Sequence, residues 1–141
     1  VYNVPSRTGQ NLEPDLIAEL AQHPNIVGVK EASGNIGQIS RIIEETQDED
    51  FIVISGDDNI TVPIMALGGA GVISVAANVD PKRMVILHEA MKKGDYQKAL
   101  PRQKVVFRLN MFLLEQARVT AFNLAHHAFQ AVIGHDKRPC R

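Results

Sequence analysis

The chain has 141 residues, 45% of them hydrophobic, and its 15 basic and 16 acidic side chains balance to a formal net charge of -1. That length suits one globular domain. The charge balance gives no electrostatic reason for a nucleic acid or an anionic membrane as partner, and no apolar run approaches the roughly 20 residues of a membrane span. The single cysteine, Cys140, cannot form an internal disulfide and has no partner for a zinc knuckle, so a reducing, cytoplasmic setting is expected. The first residue is Val1 and the chain opens directly in strand-like sequence with no signal-peptide pattern; the natural N-terminus is expected to lie upstream.

Val1 to Val4 reads as a short strand closed by Pro5, and a helix follows from Asn11-Leu12-Glu13-Pro14, with Pro14 suited to a first helical turn. Leu16, Ile17 and Leu20 give it an apolar stripe. Ile26 to Lys30 is the next strand. Asn35 then reads as an N-cap with Gln38 as its capping-box partner, and Ile36, Ile39, Ile42 and Ile43 form the buried side of the helix. Phe51 to Ser55 is a fully apolar strand ending in Gly56-Asp57-Asp58, and a short helix covers Thr61 to Leu67. Gly68 to Gly71 turns into a strand over Val72 to Val75. Asp80-Pro81 opens a helix to about Met91, Lys92-Lys93-Gly94-Asp95 breaks it, and another starts near Tyr96.

The strands recur at a spacing of about 25 residues as near-continuous Val and Ile runs, which is the pattern of a parallel sheet covered by helices. A doubly wound sheet and a piece of a (β/α)8 barrel both fit, and a whole barrel needs about 250 residues. In either architecture ligands bind at the C-terminal strand edge. Those edges read Asn3-Val4-Pro5-Ser6-Arg7, Lys30-Glu31-Ala32-Ser33, Ser55-Gly56-Asp57-Asp58 and Ser74-Val75-Ala76-Ala77-Asn78, so every strand ends in small polar residues.

Lys30 is the least strand-like of them. An ammonium is costly to bury without a partner, and a lysine that gives up its proton is a nucleophile toward carbonyls. The plain alternative is a solvated lysine just past the strand end. Tyr2 and Arg7 flank the first strand end; a tyrosine can relay protons and an arginine can grip a carboxylate with two parallel bonds. The three together suggest an α-keto acid site in which Lys30 attacks the ketone, Arg7 holds the carboxylate and Tyr2 shuttles protons.

Tyr2-Asn3-Val4-Pro5-Ser6-Arg7-Thr8-Gly9, Val27 to Asn35, Ser55-Gly56-Asp57-Asp58 and Gly68 to Val75 occur in that order. With these motifs the chain resembles, over about residues 1 to 100, the second half of the dihydrodipicolinate synthases of the N-acetylneuraminate lyase family. The resemblance implies an α/β chain of the (β/α)8 TIM-barrel family. Residues 1–100 would supply strands five to eight and residues 101–141 a divergent helical segment. It implies that Lys30 forms a Schiff base with pyruvate, that Tyr2 belongs to the proton relay, and that Arg7 binds the carboxylate of the incoming aldehyde. Gly56 and Ile73 would be backbone positions lining the pocket beside the lysine. The arginine of Pro5-Ser6-Arg7 favours the synthases over the sialic-acid lyases. The implied reaction condenses pyruvate with aspartate 4-semialdehyde to 4-hydroxy-tetrahydrodipicolinate on the route to diaminopimelate and lysine, with no metal or organic cofactor, because the lysine imine is the electron sink.

The family's paired threonines and a second tyrosine from a neighbouring subunit belong to the half of the barrel that the resemblance does not cover, so turnover is expected to be impaired. A four-strand sheet would also expose two edges and an apolar inner face. A complementary half-barrel or a second copy, as a homo-oligomer, is the expected partner. Beyond Pro101 the family's Asn-Pro motif is absent, which is what a divergent or frame-disrupted end would give. Another pyruvate-dependent aldolase of the family, and a non-catalytic half-barrel, are the alternative readings. Elsewhere, His126-His127 makes a weak metal motif, Asp57-Asp58 reads as a strand-end cap before a magnesium site, Gly68 to Gly71 as a tight turn without the P-loop's lysine, and Arg138 to Arg141 as too short for a nucleic-acid patch.

Overall fold

The computed structural model describes residues 1–134, and their side chains as far as Ala117. Cys140 and the basic end therefore lie outside the described residues, as do the side chains of His126 and His127. Four strands, β1 (Tyr2–Asn3), β2 (Gly28–Glu31), β3 (Ile52–Ser55) and β4 (Gly71–Val72), alternate with helices α1 (Pro5–Thr8), α2 (Pro14–Ala21), α3 (Ile36–Glu45), α4 (Thr61–Ala66), α5 (Pro81–Lys92) and α6 (Tyr96–Gly134). Short 3-10 turns follow β3 at Asp58–Ile60 and β4 at Ala76–Asn78.

The helix starts follow local chemistry. Proline stands in the first turn of α1, α2 and α5, where its missing N–H costs nothing. Asn35 accepts from the Gln38 amide at 3.1 Å to open α3, and Asp80 accepts from the Arg83 amide at 3.1 Å to open α5. Gly94, at φ 68°, ends the α5 connection in a left-handed turn that a side chain would strain.

All three strand pairings are parallel, and the strands lie in the order β1-β2-β3-β4. That order settles the architecture. A doubly wound sheet reverses its order at a switch point to put helices on both faces. Sequential parallel strands joined by right-handed crossovers place every helix on one side, which is the arc of a barrel wall.

The covered side is packed. Ile17, Val29, Ile39, Ile42, Val53 and Ile64 form one core between the sheet and α2, α3 and α4, and residues of α4, α5 and α6, including Val62, Leu87, Ala99 and Val106, form a second. Each buried Val, Leu or Ile among them contributes about 1.5–3 kcal/mol on burial. Leu16 is exposed, one helical step round from buried Ile17. The opposite side is open: Tyr2 and Ile52 are each 46% exposed, as expected for an uncovered inner face.

Three local differences from the sequence reading have physical causes. β4 pairs only over Gly71–Val72 and does not run to Val75; Val75 is helical, at φ -76° and ψ -42°, because its amide and that of Ala76 turn toward the Asp58 carboxylate. Pro5 does more than close β1, since its fixed φ starts α1. α6 runs through Pro101 without a break, so position 100/101 lies within a helix.

Candidate active site at the strand ends

The register decides which side chains share a face. Tyr2 pairs with Lys30 and Lys30 with Ile54, so these three face the open interior; Asn3, Glu31 and Ser55 pair in the next row and point toward the helices. That outer row is buried and hydrogen-bonded. Asn3 Nδ2 donates to Glu31 Oε2 at 2.9 Å and to Asn11 Oδ1 at 3.0 Å, and Glu31 Oε1 accepts from the Ser33 amide at 2.6 Å. Gln38 does not close a capping box. Its amide nitrogen donates instead to Asn11 Oδ1 at 3.2 Å and to the Leu12 carbonyl at 3.3 Å, joining α3 to this network. The polar strand ends thus divide into a structural row behind the sheet and a row of different character in front of it.

In the front row Lys30 is half-buried, with Nζ 4.2 Å from the centroid of the Tyr2 ring, within cation–π range. Gly56 leaves room for it. A Cβ at position 56 would stand 2.7 Å from Ala32 Cβ and 3.2 Å from Lys30 Cε, so a side chain there would press on the lysine stem. Tyr2, Arg7 and Gly56 line one cleft of about 200 Å³, together with Asp57, Asp58, Asn59 and, from α6, Asn110 and Leu114. Lys30 borders that cleft through Tyr2 and Gly56. Ile73 stands apart: its amide donates to the Ser55 carbonyl at 2.9 Å, while its exposed side chain lines a separate apolar groove of about 490 Å³ between β4 and α5.

Sequence reasoning passed over Gln103 and Asn110 here and read Asp57-Asp58 only as a strand-end cap. Asp58 is a structural link more than a cap. It is 2% exposed, and its Oδ2 accepts from the Val75 and Ala76 amides at 3.0 and 2.9 Å, joining the ends of β3 and β4. Asp57 is the cap, accepting from the Asn59 amide at 2.9 Å. Gln103 of α6 donates to the Asp58 and Asn59 carbonyls at 2.8 and 3.1 Å, and Asn110 donates to Asn59 Oδ1 at 3.2 Å. Gln103, Asn110 and Leu114 recur at helical spacing, which was the available signal for a face of α6 turned to the site.

The resolved charge pairs lie elsewhere. Arg41 bonds Glu45 and Asp15 on the surface of α3, which raises its already high pKa. The hydrogen bond from the Arg83 side chain, followed by that from its amide, holds the Asp80 carboxyl below the usual carboxylate range. Among the described residues no group of three or more His, Cys, Asp or Glu could hold a metal ion, and no helix is long and apolar enough to cross a membrane.

The sequence model of the Dihydrodipicolinate synthetase family matches residues 1–141. The chain belongs to that family. It is 70% identical over 100 residues to the 4-hydroxy-tetrahydrodipicolinate synthase of Methanosphaerula palustris, covering 71% of this chain and 34% of the relative. With the enzyme of the same name from Methanoculleus marisnigri it shares 73% identity over 99 residues, again 34% of the relative. The chain thus spans about a third of the length of the curated relatives it matches. Among solved structures, dihydrodipicolinate synthase from Aquifex aeolicus superposes with a TM-score of 0.76 at 40% identity, covering 80% of this chain and 39% of that one. YagE of E. coli K12, a prophage protein of the dihydrodipicolinic acid synthase family solved in complex with pyruvate, superposes with a TM-score of 0.73 at 31% identity, over 78% of this chain and 38% of its own. The four-stranded arc is accordingly part of a TIM-barrel wall.

Proposed function

We propose that Lys30 is the Schiff-base lysine of a pyruvate-dependent carbon–carbon synthase, and that the complete site condenses pyruvate with aspartate 4-semialdehyde in the lysine and diaminopimelate pathway. The observation that carries this reading is the in-register pair of Tyr2 and Lys30, with Nζ 4.2 Å from the ring centroid at a strand end beside Gly56. Lys30 Nζ adds to the ketone carbon and water leaves, giving an imine. Loss of a methyl proton gives the enamine, whose carbon attacks the aldehyde, and Tyr2 carries protons between these steps. Arg7 holds the aldehyde's carboxylate. No metal or organic cofactor is needed, and the setting is cytoplasmic. The open inner face, with Tyr2 and Ile52 exposed, is why full turnover requires that face to be covered, by the rest of a barrel or by a partner chain. The same openness favours the second reading, a half-barrel that folds without turnover.

Borohydride trapping with pyruvate, read by intact mass, separates the two. One reduced-pyruvate adduct, absent in Lys30→Ala, is the expected result. No adduct under conditions that label a full-length relative would leave the non-catalytic reading standing. Among family aldolases, a faster rate with aspartate 4-semialdehyde than with other aldehydes marks the synthase.

A further inference from the structure

Helix α6 has a face that the arc does not use. It runs for 39 residues, about 58 Å at the usual helical rise. Ala99, Val106 and Asn110 are its buried side, against the rest of the arc. Leu100, Phe107, Met111 and Leu114 form a second stripe, each between 39% and 49% exposed. Single exposed apolar residues are ordinary, but a contiguous line of four marks a contact surface. With Lys104 in the remaining place, the stripe steps by four, three, four and three residues, the a/d pattern of a coiled coil. A groove of about 440 Å³ opens beside Phe107, between Lys104 and Arg108. The family-like motifs end at Val75, so the stripe lies outside them.

Two charges beside the stripe identify what covers it. With Phe107 and Leu114 at d and Lys104 and Met111 at a, Arg108 and Glu115 both fall at e. Both are exposed, and neither makes an ion pair among the described residues. When Met111 layers on Leu114 of an antiparallel second helix, Arg108 of each chain lies between the same two layers as Glu115 of the other. The stripe is therefore complementary to itself, and opposite charges meet twice about a two-fold axis. Lys104 at one a position fixes that register at some cost in stability. Nothing in the arc obstructs the pairing. The buried side of α6 lies about 90° round the helix from the stripe, at 3.6 residues per turn, so the two-fold axis sets the two sheets on opposite sides. We propose that two copies of this chain associate through α6 as an antiparallel helix pair. Phe107, Met111 and Leu114 form its seam, and Arg108 of each copy bonds Glu115 of the other. The pairing stands apart from the chemistry of Lys30 and from any covering of the open inner face.

The test is sedimentation equilibrium of the intact chain, which should give twice its 15.5 kDa mass. Phe107→Glu and Met111→Glu, both at exposed positions, should give monomers with unchanged helical circular dichroism. Arg108→Glu and Glu115→Arg should each weaken the dimer about tenfold, since each turns two attractive pairs into repulsive ones. The double variant should restore it, because the charges then oppose each other again. Ile52→Glu, on the open inner face, should leave the mass at two chains. A monomeric parent chain, a dimer that survives Met111→Glu, or a double variant no tighter than the single ones would overturn the proposal. If a glutamate variant loses its helical signal, the charge exchange alone decides. A dimer lost in Ile52→Glu and kept in Met111→Glu would assign the association to the sheet face and sink the helix pair.

Discussion

The two faces of the sheet are made from the same few residues and do opposite things. On β2, Val29 and Glu31 point toward the helices and are buried, while Gly28 and Lys30, their immediate neighbours, face the interior. On β3, Val53 and Ser55 are buried and Ile52 is exposed. The packed face holds the arc together, and the open face carries Tyr2 and Lys30. Because the strand period is two, a substitution one position away changes which of these properties it touches.

The contrast is broken most directly in the packed face. Ile39 is 0% exposed, and Ile39→Ala should cost about 2–5 kcal/mol in urea unfolding, the range for a buried aliphatic cut to alanine. Gly56→Ala sits where the two faces meet. Its new Cβ would stand 2.7 Å from Ala32 Cβ, so about 1–3 kcal/mol of overpacking is expected, with slower pyruvate labelling at Lys30 measured in parallel. Glu31→Ala strips the acceptor from Asn3 and Ser33 and should cost about 1–3 kcal/mol while leaving Lys30 in its row. Ile52→Ala, on the open face, should change unfolding of the chain by less than about 0.5 kcal/mol. Equal losses at Ile39 and Ile52 would mean that the inner face is covered in solution.

The smallest effect is one of pH. The Asp80 carboxyl lies below its ordinary 3.8 in the folded chain, chiefly through the Arg83 side chain. A depressed folded value means that protonation favours unfolding. The contribution is present above the unfolded carboxyl's pKa and fades as acid carries the pH through and below that value toward the folded one. Urea midpoints followed from about pH 5 to about pH 2.5 should therefore fall further for the parent than for Asp80→Asn, which keeps the cap and loses the titration.

Much of this fold is legible along the chain because its causes are local. The Val and Ile runs mark the strands, Pro14 marks the first turn of α2, and Asn35 and Asp80 mark the starts of α3 and α5 three residues from the amides they accept from. What stayed hidden depends on residues far apart. Asp58 reaches Val75 across 17 positions and so shortens β4, and Gln103 reaches Asp58 across 45; no window of sequence contains both ends of either bond. Gln38 shows the same limit, since its spacing from Asn35 suits a capping box but Asn11, 27 residues upstream, takes its side chain. Tyr2, Arg7 and Lys30 stand out at the strand ends by residue type alone, whereas Gly56 and Ile73 come only from the family resemblance, and the side chain of Ile73 is placed by the turn after β4.

The sequential strand order also bears on how the arc forms. Tyr2 meets Lys30 28 residues on, Val29 meets Val53 24 residues on, and Ile54 meets Gly71 17 residues on. Each pairing closes a modest loop at a cost that rises only with the logarithm of its length, although parallel pairing forms more slowly than helical or hairpin contacts. The arc can therefore grow by one βα unit at a time, from either end. The unpaired edges belong to β1 and β4, its most distant strands in sequence, so a ring could close only through further strands set between them.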